Sequence, residues 1–198
     1  MFKIFVTALS ILSLPAWAST WVIDPTHSNI GFTVRHLVTR VSGSFNQFEG
    51  SIQFDNKNPE LSKVNIAVKT ESIFTANNKR DDHLRTSDFL DAKKHPTADF
   101  ESSKVVSLGK GQFKIEGNLT LKGITKPIVL EVDYLGTAKD TLGKNRGGFS
   151  ARAKLNRKDF GLTWNQLTEA GNVVVGDEVE LNFNIAAVEE ISQEAKRK

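Results

Sequence analysis

The chain has no cysteine among its 198 residues. Disulfides are therefore excluded, so burial must supply the stability. A thioether lipid anchor behind the N-terminal segment is excluded for the same reason. Excess charge is missing too. The formal net charge is only +3, and both signs are interspersed, unlike a nucleic-acid footprint. Beyond the N-terminus no apolar run approaches the ~20 residues of a membrane-spanning helix. No Gly-x-Ser-x-Gly elbow occurs. His27, His36, His83 and His95 are scattered, with no His-x-x-x-His spacing for a metal. Asp24, His27 and Ser28 are the residue types of nucleophilic hydrolysis. Neighbours on a strand point to opposite faces, however, so His27 and Ser28 diverge.

The N-terminus reads as an export signal. Lys3 gives a short positive region, Ile4 to Leu14 an apolar core, and Ala16-Trp17-Ala18 a small-x-small cleavage site. Residues 1–18 are predicted to be a signal peptide, with Ser19 first in the mature chain. Residues 19–198 then make one domain of a size to hold its own core. The charged stretch after about residue 189 is expected to fray.

Along that domain the dominant period is two. Ile30, Phe32 and Val34 alternate with Gly31, Thr33 and Arg35. The same pattern runs through Ile52 and Phe54, Val64 to Val68, Phe113 to Leu121, Ile128 to Tyr134, and Val179 to Ile185. Such segments are antiparallel strands with one dry and one wet face. Reversals are expected at Asn56-Lys57-Asn58-Pro59, Leu108-Gly109-Lys110-Gly111, Leu142-Gly143-Lys144-Asn145 and Gly176-Asp177. The spacing predicts an all-β fold: an antiparallel up-and-down barrel of about eight strands, which removes its sheet edges by closing. Asn77 to His95 breaks the alternation. A short helical insertion is predicted near residues 78–92, with Asn78 as cap, Asp81 and Asp82 in the first turn, and Leu84 and Phe89 as apolar anchors.

Asp24-Pro25-Thr26-His27-Ser28 leading to Phe32-Thr33-Val34-Arg35-His36 resembles the opening of the YceI family. Gly43-Ser44-Phe45, Phe48-Glu49-Gly50, Arg80-Asp81-Asp82-His83-Leu84-Arg85, Asp88-Phe89-Leu90, Gly117 to Thr125 and Asn156 to Leu162 follow in the family's order. The resemblance covers nearly the whole mature chain. It implies a lipocalin-like barrel with an apolar tunnel for a polyisoprenoid or another long amphiphile, in the periplasm.

Ile30, Phe32, Val34, Phe45, Phe48, Leu84, Phe89 and Phe160 are the apolar residues expected to line that tunnel. His36, at the polar end of the first face, has two readings: a handle for a ligand head group, or a core histidine bonded to backbone. Arg80 and Arg85 could clamp a diphosphate. The adjacent Asp81 and Asp82 would repel one, which favours an Arg80–Asp pair that pins the helix to the barrel. The expectation is a carrier that performs no chemistry and needs neither cofactor nor metal. Its partner is a long-chain lipid or isoprenoid, with transient contact to a membrane or membrane protein. The alternative is a barrel filled by its own side chains, serving as an interaction module for a membrane redox protein.

Overall fold

The computed structural model describes residues 19–55, 58–169, 171 and 173–190; the expected signal peptide and the last eight residues lie outside them. Eleven strands form, in order β1 (Ser19–Ile23), β2 (Asn29–His36), β3 (Thr39–Phe45), β4 (Phe48–Phe54), β5 (Lys63–Lys69), β6 (Ile73–Phe74), β7 (Thr97–Gly109), β8 (Gln112–Leu121), β9 (Ile124–Lys139), β10 (Asn145–Asn156) and β11 (Val175–Glu190). One helix, α1 (Asn78–Arg85), stands between β6 and β7.

The eleven segments make eight staves. β1 and β2 run in line along β11, which pairs with both. β3 and β4 run in line beside them, and β5 and β6 beside those. The breaks adjoin one another: Asn46 N–H donates to Ser72 O at 3.1 Å, and Lys69 N–H to Gln47 O at 2.9 Å. Then β7, β8, β9, β10 and β11 follow as antiparallel neighbours, and β11 closes on β1. The fold is a closed, antiparallel, eight-stave barrel with each stave beside the next in sequence, as the alternation predicted.

The interior follows the pleat. On β8, Phe113 and Ile115 are buried between exposed Gln112, Lys114 and Glu116. On β9, Leu130 and Val132 are buried likewise. Two-residue turns at Lys110-Gly111 and Lys122-Gly123 have positive φ at both positions, the geometry that matches strand twist in a tight hairpin.

Two local expectations change. Gly176-Asp177 is no reversal: both residues lie inside β11, where the pairing with β2 shifts register between Val175 and Val179. The turn-forming residues here accommodate a bulge. The cap of α1 is Asn77 rather than Asn78, its side chain accepting from Arg80 N–H at 3.1 Å. The α-helix ends at Arg85, and turns continue the inserted segment to Lys94.

Candidate functional site

The inward faces of the staves enclose a cavity of about 240 Å³. Its wall includes Ile30, Phe32 and Val34 of β2, Phe45 of β3, Phe113 and Ile115 of β8, Leu130 and Val132 of β9, and Leu181, Phe183 and Ile185 of β11. Leu84, Phe89 and Leu90 close it from the inserted segment, and Leu162 from the loop after β10. Among its lining residues only Ser62 and Arg157 have polar side chains.

Both polar groups are committed. Ser62 Oγ accepts from Asp55 N–H at 3.1 Å. Arg157 is 3% exposed. Its Nε donates to Gly176 O at 2.8 Å, and Nη1 to Leu162 O and to Trp164 O at 2.8 Å. Nη2 reaches Val175 O at 3.4 Å and Asp177 Oδ1 at 3.3 Å. All five guanidinium N–H groups are thereby spent. Burial pulls this guanidinium below its ordinary pKa, and the Asp177 charge opposes that. Arg157 therefore fastens the 161–176 loop rather than offering a free cation to a ligand. Sequence reasoning passed over it, because a basic residue in a polar motif carries no mark of its burial.

Of the residues singled out by sequence, Ile30, Phe32, Val34, Phe45, Leu84 and Phe89 meet around this cavity. Phe32 and Phe45 touch, ring centroids 5.8 Å apart. Gly43 makes room for that pair, since a Cβ there would sit 2.5 Å from Phe32 Cζ. Phe48 is buried in the same core, and Phe160, 1% exposed, packs with Ile73, Leu90 and Leu162. Neither is among the lining residues. His36 is half-buried at the last pair of β2, opposite Thr39 and Val175, and it too stands outside the lining.

The arginines of α1 serve the scaffold. Arg80 Nε donates to Thr75 Oγ1 and Nη2 to Thr75 O, both at 2.7 Å. Buried Asp81 accepts from the same Thr75, at its N–H and its hydroxyl. The expected pin exists, with Thr75 standing between the two charges in place of a direct pair. Arg85 donates to Glu71 O, Ile73 O and Asp82 Oδ1. Across the capped end, His83 and Trp164 meet edge to face at 4.9 Å, and Phe89 lies 5.1 Å from Trp164. Lys122 Nζ ties Ser87 O at 2.8 Å to Gly161 O at 3.4 Å. These contacts form the seam between the α1 segment and the loop after β10.

Nothing in the opening motif is arranged as a hydrolytic triad. Asp24 Oδ2 holds His27 Nδ1 at 2.8 Å, but Ser28 Oγ donates to Ala186 O and accepts Ala186 N–H. Among the described residues no three His, Asp or Glu side chains gather to hold a metal ion, and no helix is long and apolar enough to cross a membrane.

An eight-stave closed meander around an apolar interior is an up-and-down barrel of the lipocalin-like kind. Residues 21–187 match the YceI-like domain, and the chain belongs to that family. A UPF0312 protein of Azotobacter vinelandii is 44% identical over 150 residues, covering 74% of this chain and 78% of the relative. A UPF0312 protein of Vibrio parahaemolyticus is 42% identical over 166 residues, covering 81% and 88%. Among solved structures, the Campylobacter jejuni YCEI protein superposes with TM-score 0.69 at 33% identity, over 79% of this chain and 90% of that one. Burkholderia cenocepacia BcnA gives TM-score 0.74 at 20% identity, over 83% and 98%. A polyisoprenoid binding domain from Saccharophagus degradans gives 0.62 at 16% identity, over 86% and 98%.

Proposed function

We propose that this protein is a periplasmic carrier that holds the apolar tail of a polyisoprenoid or similar long-chain lipid inside its barrel and performs no chemistry on it. The observation that carries this reading is the cavity wall, where the only two polar side chains, Ser62 and Arg157, are already bonded. Such a wall rewards methylene and methyl groups at about 0.8 kcal/mol per CH₂ and gives a charged head group no partner. The polar head therefore stays outside. The name of the Saccharophagus structure, a polyisoprenoid binding domain, and the export pattern of residues 1–18 support the two finer parts of the reading.

Volume sets a limit. A dry cavity of about 150 Å³ accepts one benzene, so by that scale about 240 Å³ takes about ten carbons in the closed form. A longer chain must displace lining rings or leave part of its length at the mouth. The direct test is organic extraction of the purified protein with lipid analysis, alongside native mass spectrometry. A stoichiometric long-chain lipid is expected. Protein that is lipid-free as isolated, and takes up no prenyl lipid when offered it, overturns the reading.

A further inference from the structure

The cavity has two unlike ends. At the capped end part of its wall comes from outside the sheet: Leu84 and Phe89 on the α1 segment, and Leu162 on the loop after β10. At the opposite end the wall is aromatic and borne by strands. Phe54 is the last residue of β4, Phe113 stands near the start of β8, and Phe149 lies on β10. All three line the cavity.

Phe54 is the hub of this group. Its ring meets Phe113 and Phe149 edge to face, with centroids 6.1 and 5.8 Å apart. Tyr134 lies 5.1 Å from Phe54 and 5.3 Å from Phe149, yet it is not a lining residue. It therefore backs the rings from behind, with its hydroxyl bonded to Thr137 Oγ1. Each of the three phenylalanines is also fixed by strand pairing: Phe54 opposite Ser19, Phe113 opposite Val132, Phe149 opposite Ile185. A ring held in a closed ladder yields less readily than a segment joined by turns. A tail therefore enters past the α1 segment and comes to rest against the rings.

We propose that Phe54, Phe113 and Phe149 form the floor of the site, and that the Phe54 ring sets how many carbons of a linear or prenyl tail the barrel takes in. This deepens the carrier reading above and rests on it. Each methylene buried raises affinity about fourfold. The gain ends when the terminal carbon meets the floor. Further carbons then stay in water at the entrance, or must part ring pairs that resist separation beyond their buried area. A plot of affinity against chain length should therefore rise and then break. By the volume above, about 240 Å³, the break falls near about ten carbons.

The experiment measures displacement of a bound fluorescent fatty acid by saturated fatty acids of about 8 to 18 carbons, read as fold-change per methylene. Wild type is compared with Phe54→Leu, Phe54→Ala and Leu84→Ala, with circular dichroism to confirm folding. Phe54→Leu and Leu84→Ala each remove about three carbons from the wall, at opposite ends, and Phe54→Ala removes about six. The break should move up by about three carbons in Phe54→Leu and by about six in Phe54→Ala, with the fourfold slope below it unchanged. In Leu84→Ala the break should stay where it is. Phe54→Leu keeps apolar bulk at the site, so it carries the test if Phe54→Ala does not fold. An unmoved break in Phe54→Leu, or a break that moves with Leu84→Ala, would overturn the floor. Displacement by no fatty acid at any length fails the carrier reading and the floor together. Displacement with a break that ignores Phe54 fails the floor alone.

Discussion

Arg157 Nη2 lies 3.3 Å from Asp177 Oδ1, a buried cation beside a partly exposed anion whose second oxygen is held by Lys158 at 2.9 Å. The Lys158 bond, ahead of the Arg157 charge, keeps the Asp177 carboxyl below its usual range. Losing the guanidinium orphans the carbonyls of Leu162, Trp164 and Gly176 at once, while Val175 O keeps its bond from Asn165 Nδ2 at 2.7 Å. Arg157→Met should therefore cost about 3–5 kcal/mol. Asp177→Asn, at a wetter site, should cost about 1 kcal/mol or less. Urea denaturation of both variants measures this, and equal losses would show that the carbonyl contacts matter little.

Asp24 gives the stability an acid edge. It accepts from the N–H and hydroxyl of Thr26, from Arg146 and from His27. The Thr26 hydroxyl bond, then Arg146, hold its carboxyl far below the ordinary carboxylate range. A folded-state pKa lowered from about 3.9 stabilises above that value, and the gain is lost as pH falls from about 4 toward the folded value. Asp24→Asn should be less stable than wild type by about 1–3 kcal/mol at pH 7. The gap should narrow steadily between about pH 4 and pH 2. Denaturation curves at pH 7, 4 and 2.5 check it; a constant gap would assign the loss to shape rather than charge.

Ala151 lines the cavity on β10. Ala151→Trp puts a ring into empty space, at an overpacking cost of about 1–3 kcal/mol. The folded variant should retain markedly less long-chain lipid than wild type in extraction and mass spectrometry. Unchanged retention would place the lipid elsewhere.

Trp164 spans the seam, touching His83 and Phe89. Each such aromatic contact is worth about 0.5–1.5 kcal/mol. Trp164→Ala should release a bound fluorescent fatty acid about tenfold faster in stopped-flow exchange. A release rate equal to wild type would mean that cargo leaves by another route.

Much of the wall was legible in the sequence because its residues are large and strictly alternating, as in Ile30-Phe32-Val34 and Leu130-Val132. Two staves were not. β7 buries Ala98 and Phe100 but then Val105, since a register shift between Ser102 and Lys104 reverses the parity that a period-two reading needs. β10 turns Gly147, Ala151 and Ala153 inward among Phe149 and Leu155, too little apolar bulk to register as a stripe. Arg157 stayed hidden for a different reason. What makes it structural is five acceptors brought together by the fold, and none of them is visible as a pattern along the chain.

The seam of the barrel joins the first described strand to the last, Thr20 opposite Glu190. Closure therefore waits until β11 has been synthesised, and until then the growing meander is a curled open sheet with a wet apolar face and two unpaired edges. Contacts so distant in sequence fold slowly, on the millisecond-to-second scale of barrels. A chain cut before β11 would have no smaller barrel to fall back on. It would keep both edges open and pair with its neighbours instead.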